Sequence, residues 1–204
     1  MILARSGYST SQELVLFEEE AFQYHPDLIV WSYVLNDPAH PVYHNANGEV
    51  GRFWYKPTYH TRHFLEKKLF ILKETIHKWH CAKEFHQFLH CAYRKQIEEN
   101  LTKIGDIAKS NYVPVVFLIH PIFEKAKTYT EYSLHGVHTM LKSIAMASDL
   151  IVWDVYEVFQ YYNPNDLNEV GDGKRHDPWH PNQQGHMIIA SYLYNKLIEA
   201  QLVK

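Results

Sequence analysis

Cysteine is scarce in this sequence: Cys81 and Cys91 are the two among 204 residues. Both fall in one stretch of helical pattern, where ten residues of helix would hold them about 15 Å apart. That is too far for pairing within the helix, so two free thiols are expected, which leans toward a reducing compartment without excluding export. Long apolar runs are missing too. None approaches the roughly 20 residues of a membrane span, and Met1 is not followed by the basic stretch and apolar segment of a signal peptide. Charge of one sign is not in excess either. Twenty Lys and Arg against 23 Asp and Glu leave a net charge of -3, which gives no electrostatic reason for nucleic acid or an anionic membrane as partner.

The remaining composition, 46% apolar and 21% charged, is that of an ordinary globular protein, and the length suits a single α/β domain with a substantial core. No internal repeat or low-complexity segment interrupts it. The 15 tyrosines and 15 histidines would suit polar organic ligands if they gathered at a cleft.

Along the chain, Met1 to Leu3 look like the tail of a strand. Thr10 with Glu13 predicts a capping-box start for a helix whose inward face carries Leu14, Phe17 and Ala21. His25-Pro26 breaks it. The apolar run Leu28 to Trp31 predicts a strand covered on both faces. Pro38 to Pro57 reads as a long loop. From Arg62 to Lys109 the pattern is helical, with Leu65, Leu69, Leu72, Ile76 and Trp79, then Leu89, Ile97, Leu101 and Ile104. Further strands are expected at Val113 to Ile119 and Leu150 to Trp153, with a helix around Tyr132 to Ala147 between them. A polar loop from Asn163 to Pro181 leads to a last helix capped by Asn182, with Ile189, Leu193 and Leu197 on one face. Short apolar strands alternating with helices call for a parallel sheet flanked by helices.

In such a sheet, ligands bind beyond the carboxyl ends of the strands. Three segments stand there: Ser6-Gly7-Tyr8, Val34-Leu35-Asn36-Asp37, and Asp177-Pro178-Trp179-His180-Pro181-Asn182. Each alone has an ordinary explanation. Gly7 suits a turn, Asn36-Asp37-Pro38 an Asx turn, and Asp177 and His180 a solvated loop. Their order and spacing together resemble the blocks of the SGNH (GDSL-like) hydrolases. ARSGYSTSQEL resembles the block carrying the oxyanion glycine, PDLIVWSYVLND that carrying the asparagine, and DPWHPNQQGH the C-terminal Asp-x-x-His block.

The resemblance runs over nearly the whole chain. It implies a three-layer α/β/α, flavodoxin-like fold with a parallel sheet, and the hydrolysis of an ester of a small molecule, glycan or lipid without cofactor or metal. His180 would be the base, Asp177 its orienting carboxylate, and the Gly7 N–H and Asn36 side-chain amide the oxyanion donors. Asp37 would hold the loop that aims Asn36.

One family block has no counterpart. No Gly-Asp-Ser occurs, and only six residues precede Gly7, whereas the first strand, serine turn and crossover helix need about 30 residues or more. Ser9 and Ser11 read as cap or turn residues, so the nucleophile stays unassigned. The expectation is a domain over residues 1–204 that lacks its first βα unit because the N-terminus is incomplete; the alternative is a degenerate, catalytically inactive relative that binds a ligand or partner. Localisation stays open on either reading.

The step of 77 positions from Asn36 to Val113 exceeds an ordinary crossover and predicts an insertion at about 38–110. Its aromatic part, with Tyr43, His44, Phe53, Trp54, Tyr55 and Tyr59, is read as a lid or as a self-packed surface loop. His86 and His90 have zinc-ligand spacing, with His80 and Cys81 nearby, but chance spacing among 15 histidines accounts for them. Asp154 is read as a cap, with its strand-end position leaving a site role open.

Overall fold

A computed structural model describes residues 1–3, 8–38, 81, 84–123, 132–170 and 176–203. Gly7, the aromatic stretch from Tyr43 to Tyr59 and the helical pattern from Leu65 to Trp79 lie outside them. The chain divides into two compact units, Met1–Tyr24 with Asn36–Leu101, and His25–Leu35 with Thr102–Lys204.

In the first unit, helix α1 (Thr10–Glu20) buries Leu14 and Phe17, and Ala21 beyond it, as its spacing predicts. The capping box sits one residue earlier than expected: Ser9 is the N-cap, and the Gln12 side chain accepts the Ser9 N–H at 3.0 Å. A 3-10 turn, Ala21–Tyr24, ends the helix, and His25 at φ 48° redirects the chain. Met1 to Leu3 do not form the expected strand.

Helix α2 (Phe85–Ala92) and helix α3 (Arg94–Ser110) divide the second half of the predicted helical stretch, with Tyr93 as the break. Leu89 is buried on α2, and Ile97, Leu101, Ile104 and Ala108 on α3. The expected free thiols are corrected here. Because α2 begins at Phe85, Cys81 precedes the helix, and its Cα lies 5.8 Å from that of Cys91 in a disulfide. Cys81 packs against the Phe88 and Leu89 cluster.

The second unit holds a parallel sheet in the order β1 (Ile29–Val34), β2 (Val115–His120), β3 (Ile151–Asp154), as the alternating pattern predicts. β2 has a neighbour on each side, and Val115 to Ile119 are all buried. β1 departs from the both-faces expectation. Trp31 and Tyr33 are buried while Val30 and Ser32 are exposed, so among the described residues this strand has one covered face.

Helix α4 (His135–Ala147) connects β2 to β3, and after β3 come short helices α5 (Tyr156–Phe159) and α6 (Pro164–Leu167). The polar stretch that follows is not only loop: β4 (Asn168–Val170) pairs antiparallel with β5 (His176–Pro181). Helix α7 (Gln183–Glu199) closes the unit with Asn182 as N-cap, its side chain accepting the Gly185 N–H at 3.0 Å. Ile189, Leu193 and Leu197 on α7 are only half-buried.

With few glycines available, three helices stop on other residues in the left-handed region: Tyr112 after α3, Asp149 after α4 and Gln201 after α7. In each case the next N–H reaches back five residues, from Val113 to Ala108, Leu150 to Ala145 and Leu202 to Leu197, the bond of a Schellman stop. No helix among the described residues is long and apolar enough to cross a membrane.

Candidate active site

The Asp-x-x-His segment builds its own scaffold. Asp177 Oδ1 accepts the backbone N–H groups of Trp179 (2.9 Å) and His180 (3.0 Å), which closes a tight turn. That turn swings the imidazole back, so His180 Nδ1 lies 2.7 Å from Asp177 Oδ2. The two intervening residues are what this geometry requires, since one carboxylate oxygen holds the turn and the other the ring. Burial alone would push the Asp177 carboxyl up. The Trp179 N–H, the His180 ring and the His180 N–H outweigh it, and Asp177 ionises below its ordinary range.

An ionised Asp177 accepts Nδ1–H, which leaves Nε2 as the basic nitrogen of the neutral ring. The His180 side chain is 71% exposed, and Nδ1 carries its given bond, so Nε2 is open to a reacting group.

The segment is tied down on several sides. Phe123 N–H donates to Pro178 O at 2.8 Å, which fixes it against the chain leaving the carboxyl end of β2. Asn168 Nδ2 donates to Asp177 O at 3.2 Å, and Asn182 N–H to Leu167 O at 2.7 Å. Asp177 and His180 therefore sit at the carboxyl end of the parallel sheet, the end at which open α/β sheets bind their ligands.

The other expected site residues are described apart. Asn36 is half-buried in the turn that follows β1, and Asp37 beside it is buried, its carbonyl accepting the Thr10 N–H at 3.0 Å. Both belong to the first unit, whereas Asp177 and His180 belong to the second. Ser9 and Ser11 have structural partners. Ser9 caps α1, and the Ser11 hydroxyl accepts from Gln96 and, at 3.0 Å, from Asn100. His86 Nδ1 bonds Glu84 at 2.8 Å and His90 Nδ1 the His86 carbonyl at 2.6 Å, and no cluster of metal-ligating side chains occurs among the described residues.

Two polar clusters were not legible from motifs. Ser32 Oγ lies 2.6 Å from His120 Nε2; Ser32 pairs in register with Leu118 and Val34 with His120, so the two are diagonal neighbours on one sheet face. Burial pushes the His120 imidazole down to about 4, Asp154 pulling the other way and His186 and His138 adding to the push. Ser32 is mid-strand with its peptide groups in the sheet plane, and among the described residues the pair is a hydrogen bond with no further catalytic partner beside the serine.

The second cluster centres on Asp154, at the end of β3 and 1% exposed. Its carboxylate contacts His138 Nδ1 at 2.9 and 3.0 Å, Lys142 Nζ at 2.7 Å and the Tyr156 N–H at 3.0 Å. Burial would raise this carboxyl, but His138 and Lys142 together hold it below the ordinary range. A groove of about 620 Å³ along α7, lined in part by Glu157, Met187, Tyr192 and Lys196, includes neither Asp177 nor His180. The chain matches no family model, no curated protein and no solved structure.

Proposed function

We propose that this chain carries the acid–base and oxyanion parts of an SGNH-type ester hydrolase with the three-layer, flavodoxin-like architecture of that family. The observation that supports the reading is the His180 Nδ1–Asp177 Oδ2 contact of 2.7 Å on an exposed imidazole at the carboxyl end of the sheet. In the proposed reaction His180 Nε2 takes the proton of a serine hydroxyl as it attacks the ester carbonyl, then returns it to the leaving alcohol. Asp177 holds the ring by Nδ1–H and stabilises the imidazolium. The Gly7 N–H and the Asn36 amide would receive the oxyanion. The substrate class is an ester of a small molecule, glycan or lipid.

The nucleophile is unassigned, and the 204-residue chain alone is expected to turn over no p-nitrophenyl ester above background. The decisive test uses the native gene product, purified from its source and treated with a fluorophosphonate, with the labelled peptide mapped. The expected result is one labelled serine, aryl-ester turnover, and a loss on the order of 10³-fold or more in kcat for His180→Ala. One observation favours a second reading, a non-catalytic ligand-binding relative: among the described residues, no serine hydroxyl bonds His180. A native protein that takes no label and cleaves no ester would decide for it.

A further inference from the structure

We infer that Tyr132, His138 and Asp154 form a buried relay that positions the Asp177–His180 segment, Tyr132 acting as its outer link. The inference rests on the reading of Asp177 and His180 as the acid–base pair, and the relay can be followed atom by atom. Asp154 is ionised and accepts His138 Nδ1–H at 2.9 Å. With the imidazole neutral, that bond makes Nε2 an acceptor, and the Tyr132 hydroxyl, 3.1 Å away, donates to it. The Tyr132 oxygen in turn accepts the Ile122 N–H at 3.2 Å. The next residue, Phe123, donates its N–H to Pro178 O at 2.8 Å, and Pro178 lies between Asp177 and Trp179.

Every side chain in this sequence of bonds is buried: Tyr132 3% exposed, His138 3% and Asp154 1%. A buried, fully paired polar chain allows few alternative arrangements, because moving one member strands its neighbours without water to replace them. The tyrosine ring is held as well, stacked on Tyr156 at 5.0 Å and edge-on to His138 at 5.4 Å. The relay thus fixes the backbone at Ile122 and Phe123, and through Phe123 the segment on which His180 turns. None of the three residues touches the reacting atoms on this reading; they are positioning residues.

The test is Tyr132→Phe in the full chain, with Tyr156→Phe as control. Phenylalanine keeps the ring packing but removes the oxygen that links Ile122 to His138. The Tyr156 hydroxyl bonds His135 at 3.2 Å and stands outside the relay. Amide hydrogen exchange and the NMR titration of the Asp177 carboxyl are the readouts. For Tyr132→Phe, exchange at Ile122, Phe123, Trp179 and His180 should quicken at least tenfold while Val116 to Leu118 keep their rates. The Asp177 titration should move up toward the ordinary carboxylate range as its donors loosen. Tyr156→Phe should change neither. A Tyr132→Phe protein that loses protection uniformly, or not at all, with Asp177 titrating as before, overturns the inference. His138→Gln carries the same expectation and replaces Tyr132→Phe if that variant does not fold. Neither readout needs a substrate, so the inference and the esterase reading can fail separately.

Discussion

Replacing Gly185 by alanine would show how tightly the His180 segment is seated on α7. Gly185 is buried in the first turn of that helix. A Cβ there would stand 2.7 Å from the Leu167 carbonyl oxygen and 2.8 Å from Pro181 Cβ, both under the 3.0 Å that real Cβ contacts essentially never breach. Neither obstacle can swing aside. The Leu167 carbonyl already accepts the Asn182 N–H at 2.7 Å, and Pro181 is a ring fixed directly after His180. Two effects of opposite sign compete. Alanine in place of a helical glycine stabilises by up to about 1 kcal/mol, whereas forcing a methyl into a filled site costs about 1–3 kcal/mol. With two rigid contacts the steric effect wins, and the expected outcome is a net loss of about 1–2 kcal/mol. Urea unfolding followed by tryptophan fluorescence would measure it, an unchanged slope establishing that the midpoint reports stability. Gly105→Ala gives the ordering. Its Cβ would lie 2.0 Å from the Ser148 carbonyl oxygen, so it should lose more than Gly185→Ala. A Gly185→Ala protein as stable as the parent, or an inverted order of the two, would refute the reasoning.

Breaking the Cys81–Cys91 disulfide with Cys81→Ser should lower stability by about 2–3 kcal/mol, the loop-closure value for a short loop; the variant's urea midpoint should match that of the reduced parent and be insensitive to reductant. Stability should also depend on pH in two windows. Burial lowers the His120 pKa to about 4 in the folded chain from an ordinary value of 6.5, so the unfolded chain takes up its proton first. That contribution is whole above pH 6.5 and lost as pH falls toward 4, by at most about 3 kcal/mol, and His120→Gln should flatten the slope. Asp177, Asp154 and Glu84 have lowered values, so their stabilisation is present above the ordinary carboxylate range and disappears on acidification below it, which an acid-unfolding series would detect.

What could be read from the chain divides along the range of the interactions involved. Local chemistry was legible. Asn182 was expected to cap a helix and does so through the Gly185 N–H, and Leu14, Phe17 and Ala21 fall on the buried face their spacing implied. The parallel sheet followed from alternation, since a run such as Val115 to Ile119 can hide every side chain only with cover on both faces. Errors arose where the boundary of an element changed the geometry. Starting α2 at Phe85 takes Cys81 out of the helix, and a pair excluded by a straight rod becomes a disulfide. Leu28 to Trp31 looked covered on both faces because four apolar residues hide the alternation that begins once Ser32 is included in the strand. The β4–β5 pairing could not be anticipated either, since Asn168, Pro181 and His176, three of the four residues paired in register, carry no strand preference.

The site itself shows why a motif and a geometry are different kinds of evidence. Among the described residues of the second unit two Asp–His pairs occur, and their contacts are nearly alike: 2.7 Å for Asp177 with His180 and 2.9 Å for Asp154 with His138. Only the first announces itself in sequence, because its members are three residues apart, whereas Asp154 and His138 are 16 apart on a strand and a helix. Hydrogen-bond length cannot say which could act as a base; access can. The His138 side chain is 4% exposed and its Nε2 faces the Tyr132 hydroxyl, so no substrate proton can reach it without dismantling the network. The His180 side chain is 71% exposed and spends only Nδ1 on its carboxylate. A general base must come within hydrogen-bond reach of the proton it removes, and of the two imidazoles His180 is the one whose side chain is exposed enough to allow such an approach. The same carboxylate–imidazole contact thus serves opposite ends in one fold: at Asp154, where water is excluded, it fixes the packing of α4 on β3, and at Asp177, where solvent reaches the ring, it leaves a nitrogen free for chemistry.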